Sequence, residues 1–380
     1  MTDSPFPTAQ RRHGRVLAAV LTGITLVAAA CGGDDDATSA TDTTSGDATA
    51  TETTADHTHE GDDADHTHDD DESTDSDDDE STDGLDVSLF FDGALAEDAT
   101  IEPCTLSDGT ETTCYRLTVA GDPVTYDTGP FCVKSIDATA DDGGVWFDGN
   151  AVYDIDGEFI TGLAELYGDD NWLLYDDDGN VNVTETAEEF DLAARPDVDP
   201  SVQNHCVEGQ LDWLPDGQPV TTTMLIPVEP VLADAPASTS GNLGVTLDGV
   251  VIAQSAPVDA ILGAYTIAAF DDCGGHYNPI DGYHLHGALG CSELDQVADG
   301  ETPMFAYAAD GFAVHSPLDD PDSVELDECN GHTTDEAGYH YHANSAEQNL
   351  VIECLIGVTV AGEAGGGPGG GRGGPPPGDG

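Results

Sequence analysis

Between residues 85 and 362 the chain carries short runs in which β-branched, aliphatic and aromatic residues crowd together or alternate with polar ones at period two. Successive side chains of a strand face opposite sides of a sheet, so such runs predict strands over 87–91, 115–119, 220–228, 243–253, 264–270, 304–314 and 350–360. Gly, Asp and Pro separate or interrupt them at Gly121-Asp122-Pro123, Asp248-Gly249 and Asp310-Gly311, which predicts turns. Helical spacing is confined to 158–167 and 186–194. The pattern predicts a mainly β fold, a β-rich α+β arrangement of sandwich type. The aromatic positions of its first half, such as Trp172 and Trp213, read as core.

The amino terminus follows a different rule. Residues 16–30 are mostly apolar and follow Arg11, Arg12 and Arg15, a stretch too short to span a bilayer and suited to an export signal. It ends in Ala28-Ala29-Ala30-Cys31, which resembles a bacterial lipobox with Ala where Leu is usual. The expectation is a lipoprotein signal peptide over 1–30 and Cys31 as the lipidated first residue of the mature chain. That places the protein outside the cytoplasm, tethered to the bacterial cell membrane by its lipid alone; plain cleavage after Ala-x-Ala would instead release it. Residues 31–84 hold no aliphatic or aromatic side chain larger than Ala apart from Cys31, and so predict a disordered tether. Asp56-His57-Thr58-His59 recurs there as Asp65-His66-Thr67-His68, a pair read first as solvated spacer and second as a loose metal collector. Residues 363–380, rich in Gly and Pro, predict a disordered tail. The rest divides into an N-terminal β-rich region, 85–235, and a C-terminal module, 236–362.

Charge narrows the partners. Seven Lys and Arg stand against 77 Asp and Glu, a formal charge of −70, so nothing in the chain could neutralise nucleic-acid phosphates or an anionic membrane surface. Such a field favours cations. The loop Asp176-Asp177-Asp178-Gly179-Asn180 has oxygen ligands but lacks the Gly-sixth, Glu-twelfth register of a calcium loop, and is read as a turn. The nine cysteines are odd in number. With Cys31 assigned to lipid, Cys104, Cys114, Cys132, Cys206, Cys273, Cys291, Cys329 and Cys354 remain as an even set that suits an oxidising compartment. Among 105 pairings the neighbour-to-neighbour one is the working expectation, most firmly Cys104 with Cys114 across a Ser107-Asp108-Gly109 turn.

The strongest feature is a repeat. Cys273-Gly274-Gly275-His276 is followed by Tyr283-His284-Leu285-His286, and Cys329-Asn330-Gly331-His332 by Tyr339-His340-Tyr341-His342, every position offset by 56. A related run ending in Asp-Gly precedes each copy, at Asp248-Gly249 and Asp310-Gly311, and a cysteine follows each, Cys291 or Cys354. Residues 243–291 and 304–354 are therefore two copies of one unit, expected to sit face to face. These residues, with Leu326-Asp327-Glu328 and Ala309-Asp310-Gly311-Phe312, resemble the YHYH-domain family of secreted proteins, with Leu285 departing from the motif in the first copy. The resemblance implies secretion and a fold rather than an activity.

Residues i and i+2 of a strand share a face about 6.6–7 Å apart, so His284 with His286, and His340 with His342, form pairs, while Tyr283, Tyr339 and Tyr341 point the other way. Two such pairs brought together offer up to four imidazoles, a donor set suited to copper or zinc. His276 and His332 are candidates to complete or orient the site, and His315 is a further one. The principal reading is a metal-binding protein. The alternatives are a Tyr/His hydrogen-bond network in a surface scaffold or adhesion protein, and a hydrolase pairing Asp281, Asp327 or Asp335 with His284 or His340. A binding module needs no substrate-sized pocket beside the histidines, whereas a hydrolase does. No Gly-x-Ser-x-Gly or His-Glu-x-x-His motif supports an enzyme, and the sequence names no protein partner.

Overall fold

A computed structural model describes residues 84–193, 198–238, 240–294, 302–321 and 323–362. The expected export segment with Cys31, the expected tether with its His-x-His pairs and the Gly/Pro-rich stretch after residue 362 lie outside the described residues. In chain order the elements begin with β1 (Thr100–Thr105), β2 (Glu111–Val119), β3 (Val145–Phe147), β4 (Val152–Asp154), α1 (Gly157–Leu166), α2 (Ala187–Leu192) and β5 (Cys206–Val207). There follow β6 (Thr222–Pro227), β7 (Leu232–Ser238), β8 (Asn242–Thr246), β9 (Val251–Ala253), α3 (Val258–Gly263) and β10 (Ile267–Ala268). The duplicated part continues with β11 (Gly275–Asn278), β12 (Gly282–Leu285), β13 (Met304–Ala308), β14 (Ala313–His315), β15 (Gly331–Thr334), β16 (Gly338–His342) and β17 (Cys354–Gly357). The protein is mainly β. No helix among the described residues is long and apolar enough to cross a membrane.

Local chemistry explains most boundaries. Asp248-Gly249 and Asp310-Gly311 split two of the long apolar runs into hairpins, with Gly249 and Gly311 at positive φ. Asp156 caps α1 by accepting from the Phe159 amide at 2.8 Å, and Thr186 caps α2 by accepting from Glu189. The run at 87–91 is not a strand but a single 3₁₀ turn, Val87–Leu89. Asp86 accepts from the Ser88 amide at 2.8 Å and closes that turn in place of a ladder partner. The run at 264–270 keeps only the two-residue β10, because α3 occupies the chain just before it.

The main sheet has eight strands in the order β11-β12-β9-β8-β13-β14-β16-β15. This order is a palindrome of the two copies. β8 and β13 meet antiparallel at the centre, with Val245 opposite Tyr307, Thr246 opposite Ala306 and Gly244 opposite Ala308. Each copy then repeats the same sequence outward: an antiparallel hairpin (β8–β9, β13–β14), a parallel step (β9–β12, β14–β16) and a second hairpin (β12–β11, β16–β15). The copies therefore sit edge to edge across a pseudo-twofold axis, not face to face. The reason is that β8 and β13 are buried on both sides along nearly all their length and need cover on both, which the middle of a sheet provides.

One face of the centre is covered by a three-stranded sheet, β1-β2-β6, whose Leu117, Val119, Met224 and Ile226 pack with Val245, Leu247, Val251, Met304 and Tyr307. The other face receives Ile252, Ala306, Ala308, Val314 and Tyr341 together with Val351, Ile352 and Leu355. At roughly 1.5–3 kcal/mol for each large aliphatic side chain removed from water, these two layers dominate the stability of the sheet. Four disulfides join neighbours in chain order: Cys104–Cys114, Cys132–Cys206, Cys273–Cys291 and Cys329–Cys354. Such bonds fit an extracytoplasmic protein. Cys132–Cys206 lies within a further aromatic cluster built on Trp146, Phe147 and Phe270.

Candidate metal centres

The outer hairpin of each copy is built by one set of rules. In the first, a three-residue loop after Asn278 ends at Gly282 with φ 72°, which closes the hairpin in register with His276 opposite His284. In the second, Gly338 with φ 63° does the same, and His332 stands opposite His340. His286 and His342 lie two residues further on and share the face of their neighbours.

A conserved geometry between the copies sets the entry to each hairpin. Asp271 Oδ1 accepts from the amides of Cys273 (3.0 Å) and Gly275 (3.1 Å), and Asp327 Oδ1 from those of Cys329 (2.8 Å) and Gly331 (2.9 Å). The second carboxylate oxygen takes the tyrosine hydroxyl, Tyr283 on Asp271 at 2.6 Å and Tyr339 on Asp327 at 2.9 Å. Gly274 and Asn330 occupy the left-handed region at φ 87° and 60°, which explains why Gly and Asn alternate there. A Cβ on Gly275 or Gly331 would run into the hydroxyl of Tyr283 or Tyr339. Cys-Gly/Asn-Gly-His is thus the shape of a turn that delivers His to the sheet. Asp271 was not among the residues singled out by the sequence, although it lies 56 residues before Asp327 and so carries the repeat offset.

The departure at Leu285 has a partner. Tyr341 donates to the buried Asp310 at 2.5 Å, and Asp310 also accepts from Gly357 N at 2.9 Å. In the first copy Leu285 has no hydroxyl to offer, and Asp248 is satisfied by Thr246 Oγ1 at 2.5 Å and Thr125 Oγ1 at 2.9 Å. Thr246 corresponds to Ala308 in the second copy, so the donor has moved from one strand to another. Burial raises the pKa of Asp248 and Asp310, and raises that of Asp271 to about 6 against the pull of its hydrogen bonds.

The imidazoles form two triads, His276/His284/His286 and His332/His340/His342, whose ligand atoms lie within 4.8 Å of one another in each. The first is almost an equilateral triangle, with ring centres 4.8 Å apart from His276 to His284, 5.0 Å from His276 to His286 and 4.8 Å from His284 to His286. The second has sides of 4.5, 5.1 and 5.2 Å. Imidazoles bound tetrahedrally at about 2.0–2.1 Å from one ion would place their ring centres about 5 Å apart. His332 Nε2 and His342 Nε2 are 3.1 Å apart, a hydrogen bond in which His332 donates when His342 Nε2 carries the lone pair, and a separation close to that of two ligands on a shared ion.

Tautomers follow from the other ring nitrogen. His284 Nδ1 faces the Gly282 carbonyl (3.0 Å), His286 Nδ1 that of Gln254 (2.7 Å), His340 Nδ1 that of Gly338 (3.2 Å) and His342 Nδ1 that of Ser316 (3.3 Å). A carbonyl only accepts, so Nδ1 of His284, His286 and His340 carries the proton and Nε2 the lone pair; His342 Nδ1 also lies 3.2 Å from the Thr302 hydroxyl, which spends its own proton on the Ser316 carbonyl at 2.5 Å and so leaves His342 Nδ1 as a donor too. Burial lowers the pKa of His284 and takes that of His286 well below the usual value, helped by charge on His284. The four central histidines are buried, while His276 and His332 are half-buried.

The residues proposed as cross-copy partners are therefore not brought together. His284/His286 and His340/His342 lie on one face, but their strands are five places apart in the sheet, about 24 Å at 4.8 Å per strand. Each pair is instead completed by the Cys-x-x-His histidine of its own copy. His315, on β14, packs its ring against His340 at 4.3 Å between centres and stands outside the three histidines whose ligand atoms converge. Tyr283 and Tyr341 lie on the opposite face and bond to aspartates, as Tyr339 does. Asp281 accepts from Asn278 at 2.8 Å, Asp327 holds the turn and Asp335 is exposed in a hairpin loop. The hollow that reaches His284 has a volume of only about 20 Å³. A larger cleft of about 590 Å³, lined by Tyr126, Phe131, Glu208 and Tyr277 among others, includes none of the histidines.

Residues 223–325 match a family model described as YHYH protein. The matched stretch takes in the first triad and the opening strands of the second copy, and ends before Cys329. No curated protein and no solved structure matches the chain.

Proposed function

Starting from a chain that carries a YHYH-family segment, we propose that it is an exported, lipid-anchored protein that binds copper or zinc at two separate mononuclear centres, His276/His284/His286 and His332/His340/His342. The observation that carries this reading is the tautomer pattern. In each triad at least two buried histidines give their Nδ1 proton to a backbone carbonyl, leaving Nε2 lone pairs in a cluster about 5 Å across. Converging lone pairs repel unless a cation or a donor lies among them, and imidazole nitrogen suits Zn(II) and Cu(II). Calcium, which takes six to eight oxygens, has no counterpart in either triad. The Tyr/Asp bonds on the other face are structural; the scaffold reading accounts for them and for the His332–His342 hydrogen bond, and does not account for the convergence of the Nε2 atoms of His284 and His286. A hollow of about 20 Å³ beside His284 admits a water-sized group and favours binding over turnover of a larger substrate. The lipid at Cys31 and the acidic tether would hold these centres near the membrane and raise the local cation concentration.

The test is the metal content of the full chain purified from an oxidising compartment. Two equivalents of copper or zinc, falling to one in His340→Ala/His342→Ala and to one in His284→Ala/His286→Ala, are expected. A metal-free protein that also fails to take up added Zn(II) or Cu(II) overturns the reading.

A further inference from the structure

The cleft of about 590 Å³ belongs to the first copy alone. Tyr277 follows His276 on β11 and so points to the other side of the sheet, where it forms part of the cleft wall. Its counterpart 56 residues on is Thr333, which is exposed. What the first copy has in addition is cover from residues 122–132, between β2 and β3, and residues 208–211, after β5. The covering segment is pinned in place. Thr125 Oγ1 donates to Asp248 at 2.9 Å, the Gly129 amide donates to Asp271 at 3.2 Å, and Cys132 is bonded to Cys206. A wall anchored in this way leaves little for a ligand to order on binding, as a preformed site requires.

The lining combines aromatic rings with negative charge. Tyr126, Phe131 and Tyr277 supply the rings, with Phe131 and Tyr277 edge to face at 6.1 Å between centres. The hydroxyls of Tyr277 and Thr128 are 3.1 Å apart and share one hydrogen bond; they hold two protons between them, so one O–H remains to be donated. Glu208 is only 8% exposed, yet it lines the cleft. Its oxygens accept from the Cys132 amide at 2.9 Å and from Lys134 Nζ at 2.6 Å, and each keeps a further lone pair. Asp122 and Asp127 line the same cleft, are exposed, and carry no salt bridge among the described residues. Burial, and then the charge of Asp127, raise the pKa of Asp122. No Lys or Arg lines the cleft.

Three carboxylates with no cation in the lining repel an anionic ligand, and a positive charge would relieve the repulsion between Asp122 and Asp127. A bare metal ion would use the carboxylates and leave the rings and most of the volume idle. A cation with an apolar body uses both, because aromatic faces attract positive charge. We propose that this cleft binds a small organic cation, a protonated amine on an aromatic or apolar body, with its ammonium toward Asp122 and Asp127 and its body among Tyr126, Phe131 and Tyr277. No histidine lines the cleft, so the site is separate from the triads and does not rest on the metal-binding reading.

Tyramine, tyrosol and hydroxyphenylpropionate share one aromatic frame and carry a positive, no and a negative charge at neutral pH. Each is titrated calorimetrically into the full chain at about 0.15 M salt, where exposed charges more than about 8 Å apart are screened. One saturable tyramine per chain is expected, bound at least about tenfold more tightly than tyrosol, with no binding of the anion. Asp122→Asn/Asp127→Asn, two isosteric changes at exposed positions, should weaken tyramine about fivefold. Phe131→Leu, which keeps an apolar side chain and removes the ring, should weaken it about threefold. Equal affinity for tyramine and tyrosol, or unchanged affinity in the double Asn variant, overturns the assignment. Tyramine uptake that never saturates, spread over the acidic stretch before residue 84, overturns it as well. Binding that vanishes when metal is stripped by a chelator would place the amine on a metal centre and overturn it too.

Discussion

Tyr341→Phe removes one hydroxyl and leaves the rest of the second hairpin untouched. That hydroxyl donates to Asp310 at 2.5 Å and accepts from the Ile356 amide at 2.8 Å. Asp310 is fully buried and retains the amides of Gly357, at 2.9 Å, and Phe312, at 3.4 Å. A hydrogen bond to a charged group contributes about 1.5–3 kcal/mol, and an amide left without its acceptor costs about 1 kcal/mol more. Tyr341→Phe should therefore cost about 3 kcal/mol at neutral pH, measured by urea unfolding of the metal-free chain. The loss should also depend on pH. Burial raises the folded pKa of Asp310, so between its unfolded and folded values the folded chain holds more protons and gains stability as pH falls. The Tyr341 hydroxyl opposes that shift, so removing it raises the pKa further. The deficit of the variant should be largest near pH 7–8 and shrink on acidification. A loss below about 0.5 kcal/mol, or one of equal size at pH 5 and pH 8, would refute the claim that Tyr341 supports a buried carboxylate.

Other outcomes follow from the same geometry. Metal binding requires neutral imidazoles, and burial holds the pKa of His284 and His286 below 6.5, so zinc should stay bound down to pH 6.5 and leave at lower pH; half-release to a chromogenic chelator above pH 7 would contradict this. Gly331→Ala puts a methyl against the Tyr339 hydroxyl and should cost about 1–3 kcal/mol, with metal content falling from two equivalents to one as the second hairpin entry is distorted. Cys329→Ser/Cys354→Ser opens a loop with a sequence separation of 25 and should cost about 3.5 kcal/mol in urea unfolding, a loss that added zinc partly restores. No change in midpoint there would show that the bond adds nothing to the folded state.

Much of this was legible in the chain because duplication turns weak signals into strong ones. The 56-residue offset marks both hairpins, and the Asp-Gly pairs at 248 and 310 divide the apolar runs where β8 meets β9 and β13 meets β14. The spacings at 158–167 and 186–194 correspond to α1 and α2 within a residue or two, because each starts at a side chain able to cap it. The rest was hidden for physical reasons. Period two tells which residues share a face and is silent about which strand lies beside them, so His284 was paired in prospect with the other copy and not with His276. The cross-strand partner was nonetheless encoded in the hairpin loop, since His276 and His284 are equidistant from Ile280 and the loop ends in Gly282. The edge-to-edge meeting of the copies depends on what covers each face of β8 and β13, a tertiary matter. Asp271 escaped notice because a turn-capping carboxylate looks like any other Asp in so acidic a chain.

The central claim is that each histidine triad surrounds one transition-metal ion, and anomalous diffraction at the zinc and copper edges from crystals of the full chain tests it most directly. The account predicts two peaks, one inside His276/His284/His286 and one inside His332/His340/His342, each about 2.0–2.1 Å from the Nε2 atoms. Crystals grown with zinc or copper that show no peak at either triad, or peaks only among surface carboxylates, would contradict it.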